Sequence, residues 1–139
     1  MSQPREAGSR PLRIVLVEDE ATNRVLLRAM LARSPRPEIR AALLVEAANV
    51  AEGRAALTGE LPDLVLLDVR LPDGSGLDLA RELADRAEAR PPVVIMSASV
   101  LPEERELALA AGDLFVPKPY RANELFAAID ALLPPAPSA

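Results

Sequence analysis

Apolar positions along this chain alternate between two textures. Short runs rich in β-branched residues are followed by stretches in which apolar residues recur at helical spacing. LRIVLV (12–17) is the first run, and from Ala21 to Ala32 the spacing turns helical. There Leu26, Leu27, Met30 and Leu31 share one face, with Arg24 and Arg28 flanking the stripe. Ser-Pro-Arg-Pro at 34–37 ends this helix, because the residue before a proline is pushed out of the helical region. AALLVEA (41–47) predicts a second strand and Val50–Glu60 a second helix. DLVLLD (63–68) predicts a third strand and Leu77–Ala87 a third helix. PVVIMS (92–97) is the most β-branched run and predicts a fourth strand. Pro102–Ala111 reads as a helix with proline in its first turn and Gly112 just past its end. LFV (114–116) is a short fifth strand, and Asn123–Leu133 a last helix that stops at Pro134.

The order is therefore βαβαβαβαβα. Runs 12–17, 63–68 and 92–97 are apolar on both faces, as strands buried inside a parallel sheet are. Crossovers of this length place helices on both sides of such a sheet, so the class is α/β and doubly wound. The pattern leaves the strand order open. Residues 1–11 are largely polar and unpatterned and read as a flexible arm, 12–133 as a single domain, and 134–139 as a Pro-rich tail or linker.

Composition narrows the chemistry. With two Phe, one Tyr and no Trp in 139 residues, the core must be built from Leu, Val, Ile and Ala. A net charge of −5 argues against a nucleic-acid surface, which needs a basic patch. Cysteine and histidine are both absent. That excludes thiolate metal sites, a catalytic histidine and a phosphohistidine carried by this chain. No apolar run approaches membrane-spanning length, and residues 1–11 lack the hydrophobic segment of a signal peptide. The expectation is a cytoplasmic domain that binds neither membrane nor nucleic acid.

The polar residues cluster by position. The first strand ends in Glu18-Asp19-Glu20, the third in Asp68 and the fourth in Ser97, while Lys118 follows the fifth. Ligands of open parallel sheets bind outside the carboxyl ends of the strands. A single Asp there is ordinarily a cap or turn residue, and a single Ser or Lys is ordinarily solvated. Several converging on one edge call for a joint explanation. Carboxylates ~5 Å apart repel by roughly 3 kcal/mol per pair at an effective dielectric near 20. Lys118 supplies only part of the counter-charge for Glu18, Asp19 and Asp68. An all-oxygen site of this kind suits Mg²⁺, and a carboxylate beside a metal, an ammonium and a hydroxyl can bind a phosphoryl group or attack one.

Taken together, VEDE (17–20), LLDVRLPDGSG (66–76), MSA (96–98) and KP (118–119) resemble the receiver domain of bacterial two-component response regulators. The resemblance covers roughly residues 12–133 and implies a flavodoxin-like five-stranded parallel sheet of order 2-1-3-4-5 with five helices. It implies that Asp68 accepts a phosphoryl group from a phosphohistidine on a histidine kinase or histidine phosphotransfer protein. By the same resemblance, Asp19, Asp68 and the backbone carbonyl of Arg70 bind Mg²⁺ directly, and Glu18 acts through a metal-bound water. Ser97 and Lys118 would contact phosphoryl oxygens. Ser97 and Phe115 would then switch the face made by helix 4, strand 5 and helix 5, where an effector domain or a second copy docks.

The chain departs from the commonest family pattern at several points. Glu18 stands where Asp is usual and Ser97 where Thr is, and the stretch from Gly112 to Phe115 is one residue short. Phe115 lacks the hydroxyl of a switch tyrosine, and Pro117 fits only an edge strand. Two other readings remain from the sequence. One is a phosphorylation-independent interaction domain on the same fold. The other is a small hydrolase working through an aspartyl phosphate, against which Arg70 stands where such enzymes carry a second aspartate.

Overall fold

The computed structural model describes residues 10–86, 90–98 and 102–134. Five strands form one parallel sheet: β1 (Arg13–Val17), β2 (Leu43–Ala47), β3 (Leu64–Asp68), β4 (Val93–Ser97) and β5 (Leu114–Pro117). Their spatial order is β2-β1-β3-β4-β5, the order the resemblance implies. Five helices connect and follow them: α1 (Ala21–Ala32), α2 (Val50–Thr58), α3 (Gly76–Ala84), α4 (Pro102–Ala111) and α5 (Ala122–Leu132).

Strand side chains alternate between two cores, as the two-residue period requires. Val15, Val17, Val65, Leu67, Val93 and Ile95 face one side and pack with Val50 and Leu57 of α2, Leu79 and Leu83 of α3 and Ala108 of α4. Ile14, Leu16, Leu64, Leu66, Val94 and Met96 face the other, against Leu27 and Leu31 of α1 and Leu125 and Ile129 of α5. Being apolar on both faces, β3 and β4 are buried throughout, whereas β2 and β5 lie at the edges and are partly exposed. Pro117 takes its place at the end of edge strand β5, in register with Ser97. Its missing N–H removes no ladder bond there.

Two features are additional to the sequence reading. Pro37–Arg40 forms a four-residue helix directly after the break at 34–37, with Pro37 at its first position. Proline there ends one helix and starts the next, because its fixed φ suits a first turn. After β3, Arg70–Leu71 and Gly74–Ser75 pair as a short antiparallel hairpin. Helices α2 and α3 are shorter than expected. The Thr58 hydroxyl bonds back to the Arg54 carbonyl as α2 ends, and α3 stops at Ala84. Residues 1–9, most of the expected arm, and 135–139 of the expected tail lie outside the described residues, as does Ala87. Among the described residues, no helix is long and apolar enough to cross a membrane.

Candidate functional site

Adjacent strands deliver polar residues to one point at the carboxyl edge. Glu18 follows β1 and is 0% exposed, Asp68 ends β3 at 6%, and Ser97 ends β4 at 2%. The Glu18 amide continues the sheet by donating to the Ala47 carbonyl (2.9 Å), and the Lys118 amide does the same to the Ser97 carbonyl (2.8 Å). The Lys118 side chain then reaches inward. Its Nζ donates to Oε1 of Glu18 at 2.7 Å and to Oδ2 of Asp68 at 3.2 Å. Oε2 of Glu18 accepts from the Glu20 amide (3.1 Å), and Oδ1 of Asp68 from the Arg70 amide (3.4 Å). Carboxylate oxygens of Glu18, Asp19 and Asp68 lie within 4.8 Å of one another, Asp19 being the exposed member.

Burial and charge pull these groups in opposite directions. Burial pushes the Asp68 carboxyl above its ordinary value, and Lys118 only partly offsets it. Burial would do the same to Glu18, but the hydrogen bonds from Lys118 and the Glu20 amide outweigh it and hold Glu18 below the usual range. Burial disfavours the Lys118 ammonium, yet Glu18 and Asp68 together hold its pKa above normal. Two of the three clustered carboxylates, Glu18 and Asp68, pair with the Lys118 ammonium, and the third, Asp19, lies beside them. The excess of negative charge and the all-oxygen donor set fit a hard divalent cation such as Mg²⁺.

The loop after β3 answers to glycine geometry. The Gly76 amide donates to the Val69 carbonyl (2.7 Å), folding the hairpin back on the strand end. A Cβ on Gly76 would lie 2.0 Å from the Asp68 carbonyl oxygen, so only glycine allows this approach. Gly74 has φ +153°, which a side chain would strain. Asp73, just before Gly74, accepts from the amides of Val50 (2.7 Å) and Ala51 (3.1 Å), tying the hairpin to the start of α2. The bond from the Val50 amide is the chief reason the Asp73 carboxyl is held below its ordinary value.

The other expected residues lie on the hairpin and on β5. Arg70 begins the hairpin, exposed, with its amide against Asp68. Phe115 is half-buried on β5, and the guanidinium carbon of Arg105 on α4 lies 5.3 Å from its ring centroid. The Lys118–Pro119 peptide is cis. A groove of about 310 Å³ runs beside Lys118, between Leu26 and Met30 of α1 and Pro119 and Tyr120. Burial pushes the Tyr120 hydroxyl up to about 12. Three contributors, Asp73, Tyr120 and Arg24, whose Nη1 donates to the Glu18 carbonyl, carry no sequence signal of their own. Asp73 reads as an ordinary turn residue, Arg24 as a flank of the α1 stripe, and Tyr120 as a lone aromatic.

Residues 14–130 match the family model of the response regulator receiver domain. Over 124 residues the chain is 38% identical to the aerobic respiration control sensor protein ArcB of Escherichia coli (strain K12), covering 85% of this chain and 15% of that protein. Over 123 residues it is 37% identical to the phosphate regulon transcriptional regulatory protein PhoB of Rhizobium meliloti (strain 1021), covering 87% and 52%. The chain thus spans about half or less of the length of these curated relatives. Among solved structures, it resembles a CheY-like response regulator receiver domain protein from Methanospirillum hungatei JF-1 (TM-score 0.75, 24% identity, 88% of this chain and 93% of that one). It also resembles a putative response regulator from Chloroflexus aurantiacus J-10-fl (TM-score 0.77, 21% identity, 89% and 98%). At these identities the structural likeness is one of fold.

Proposed function

This chain belongs to the response regulator receiver domain family of two-component systems, and from that premise we propose that it accepts a phosphoryl group on Asp68. The donor is a phosphohistidine of a histidine kinase or histidine phosphotransfer protein. One observation supports this above all: Lys118 bonds both Glu18 and Asp68, from sites far apart in sequence, beside a third carboxylate on Asp19.

Asp68 is the nucleophile. An oxygen of its carboxylate attacks phosphorus, the bond to the histidine nitrogen breaks, and an acyl phosphate forms. The Arg70 amide and Lys118 hold the carboxylate in place before attack. Lys118 then pairs with a phosphoryl oxygen, and the Ser97 hydroxyl donates to another. Asp19, Asp68 and the Arg70 carbonyl would hold Mg²⁺ directly, with Glu18 reaching it through water. When bound, the metal neutralises charge on the phosphoryl oxygens. The domain assists its own phosphorylation and hydrolysis and turns over no outside substrate.

The signal leaves through packing. Drawing the Ser97 hydroxyl toward the new phosphoryl group vacates space behind it, and Phe115 turns inward from beneath Arg105. This reshapes the face of α4, β5 and α5 for an effector domain or a second copy, as a new dianion biases a two-state element. The domain works in the cytoplasm. Beryllofluoride with Mg²⁺ tests the reading. Tyr120 is the sole tyrosine and there is no tryptophan, so intrinsic fluorescence reports this site alone. A saturable change that Asp68→Asn abolishes supports the reading. No response in the wild type favours an interaction domain that works without phosphorylation.

A further inference from the structure

Glu18 is held through both of its backbone polar groups. On one side the Glu18 amide donates to the Ala47 carbonyl of β2 (2.9 Å). On the other, the Glu18 carbonyl accepts from Nη1 of Arg24 at 2.7 Å. Arg24 lies in the first turn of α1, its amide bonded to the Glu20 carbonyl, and its side chain runs back toward the helix start, as helical side chains do. The same guanidinium is braced by Glu46, the residue before Ala47, with Nε 3.5 Å from Oε1. The second oxygen of Glu46 pairs with Arg28 at 3.0 Å.

We propose that Arg24 is a positioning residue for the cation site: by holding the Glu18 carbonyl, it fixes the direction in which Asp19 presents its carboxylate. A peptide unit is planar, so pinning the Glu18 oxygen also pins the amide and Cα of Asp19. Asp19 needs this more than its partners do. Glu18 and Asp68 are held by burial and by Lys118, whereas Asp19 is exposed. An arginine suits the task because its fork donates to the carbonyl while its other side stays paired with the Glu46 carboxylate, which a lysine cannot do with the same geometry. The inference rests on the Mg²⁺ site of the proposed function.

Charge makes the test directional. Removing a cation from beside an acidic site tightens Mg²⁺ binding by electrostatics alone, whereas losing the brace weakens it. The experiment is a calorimetric Mg²⁺ titration of the whole chain, comparing wild type with Arg24→Gln, Arg24→Lys and Arg28→Gln. Arg28→Gln removes the same charge from the same helix without touching the Glu18 carbonyl. Arg24→Gln should bind Mg²⁺ ~10-fold more weakly, the low end of what losing an outer-shell partner costs. Arg24→Lys should fall between that and wild type, and Arg28→Gln should not weaken. Half-maximal phosphorylation should shift to higher Mg²⁺ in Arg24→Gln and Arg24→Lys, while the rate at saturating Mg²⁺ holds. Circular dichroism at the same temperature establishes that each variant is folded, and Arg24→Lys carries the test should Arg24→Gln fail to fold. Wild-type affinity in both Arg24 variants, or equal weakening in Arg24→Gln and Arg28→Gln, overturns the assignment and leaves the site reading intact. No Mg²⁺ binding by wild type removes both.

Discussion

The Nζ of Lys118 lies 2.7 Å from Oε1 of Glu18, across 100 residues of chain. The glutamate side chain is 1% exposed and the lysine 19%. A carboxylate so buried is tolerable because it has this counter-charge and a backbone donor.

Lys118→Met should therefore be costly. It leaves Glu18 and Asp68 buried without their cation, and breaking such a pair from one side costs roughly 3–5 kcal/mol. Partial exposure of Lys118 points to about 3 kcal/mol, at the low end of that range. Urea denaturation measures the loss. Mg²⁺ should recover more stability in Lys118→Met than in wild type, because it replaces the missing positive charge and binds the folded state. An unchanged urea midpoint would contradict the pairing.

Gly76→Ala tests the close approach behind the acceptor. The new Cβ would stand 2.0 Å from the Asp68 carbonyl oxygen, and that obstacle is backbone, which cannot swing aside. Overpacking of this kind costs ~1–3 kcal/mol or more. The displaced strand end should also slow phosphorylation of Asp68. Gly59→Ala is the control, since nothing lies within 4 Å of a Cβ there. Equal behaviour of the two variants in denaturation and phosphorylation would refute the packing argument.

Asp73 gives a pH signature. Its carboxyl is held below the ordinary value of 3.8 by the amides of Val50 and Ala51. The folded state thus binds this proton more weakly than the unfolded chain. Its stabilising contribution is complete above the ordinary value and is lost as pH falls from there through the lowered one. Asp73→Asn should flatten the acid limb of the stability curve in that window, as measured by chemical denaturation at a series of pH values. An identical acid limb in the variant would show that the cap carries no charge-dependent stability.

Much of this molecule was legible from the pattern of apolar runs. β3 and β4 are apolar on both faces, and only burial between two helical layers explains that. The polar groups at 18, 19, 68, 97 and 118 stand out because each follows such a run. What could not be read is what long-range geometry decides. Asp73 caps a helix 22–23 residues back in the chain. Arg24 carries the spacing of a surface residue, yet its guanidinium turns back to the Glu18 carbonyl. Pro37 was legible as a stop but not as a start, because the same fixed φ serves both roles.

Intact mass spectrometry after incubation with acetyl phosphate reads Mg²⁺-dependent phosphorylation of Asp68 itself. Wild type should gain one phosphoryl group in the presence of Mg²⁺, with none when the metal is chelated and none in Asp68→Asn. A phosphoryl group still gained by Asp68→Asn to the same extent, or none gained by folded, Mg²⁺-loaded wild type, would contradict Asp68 as the acceptor.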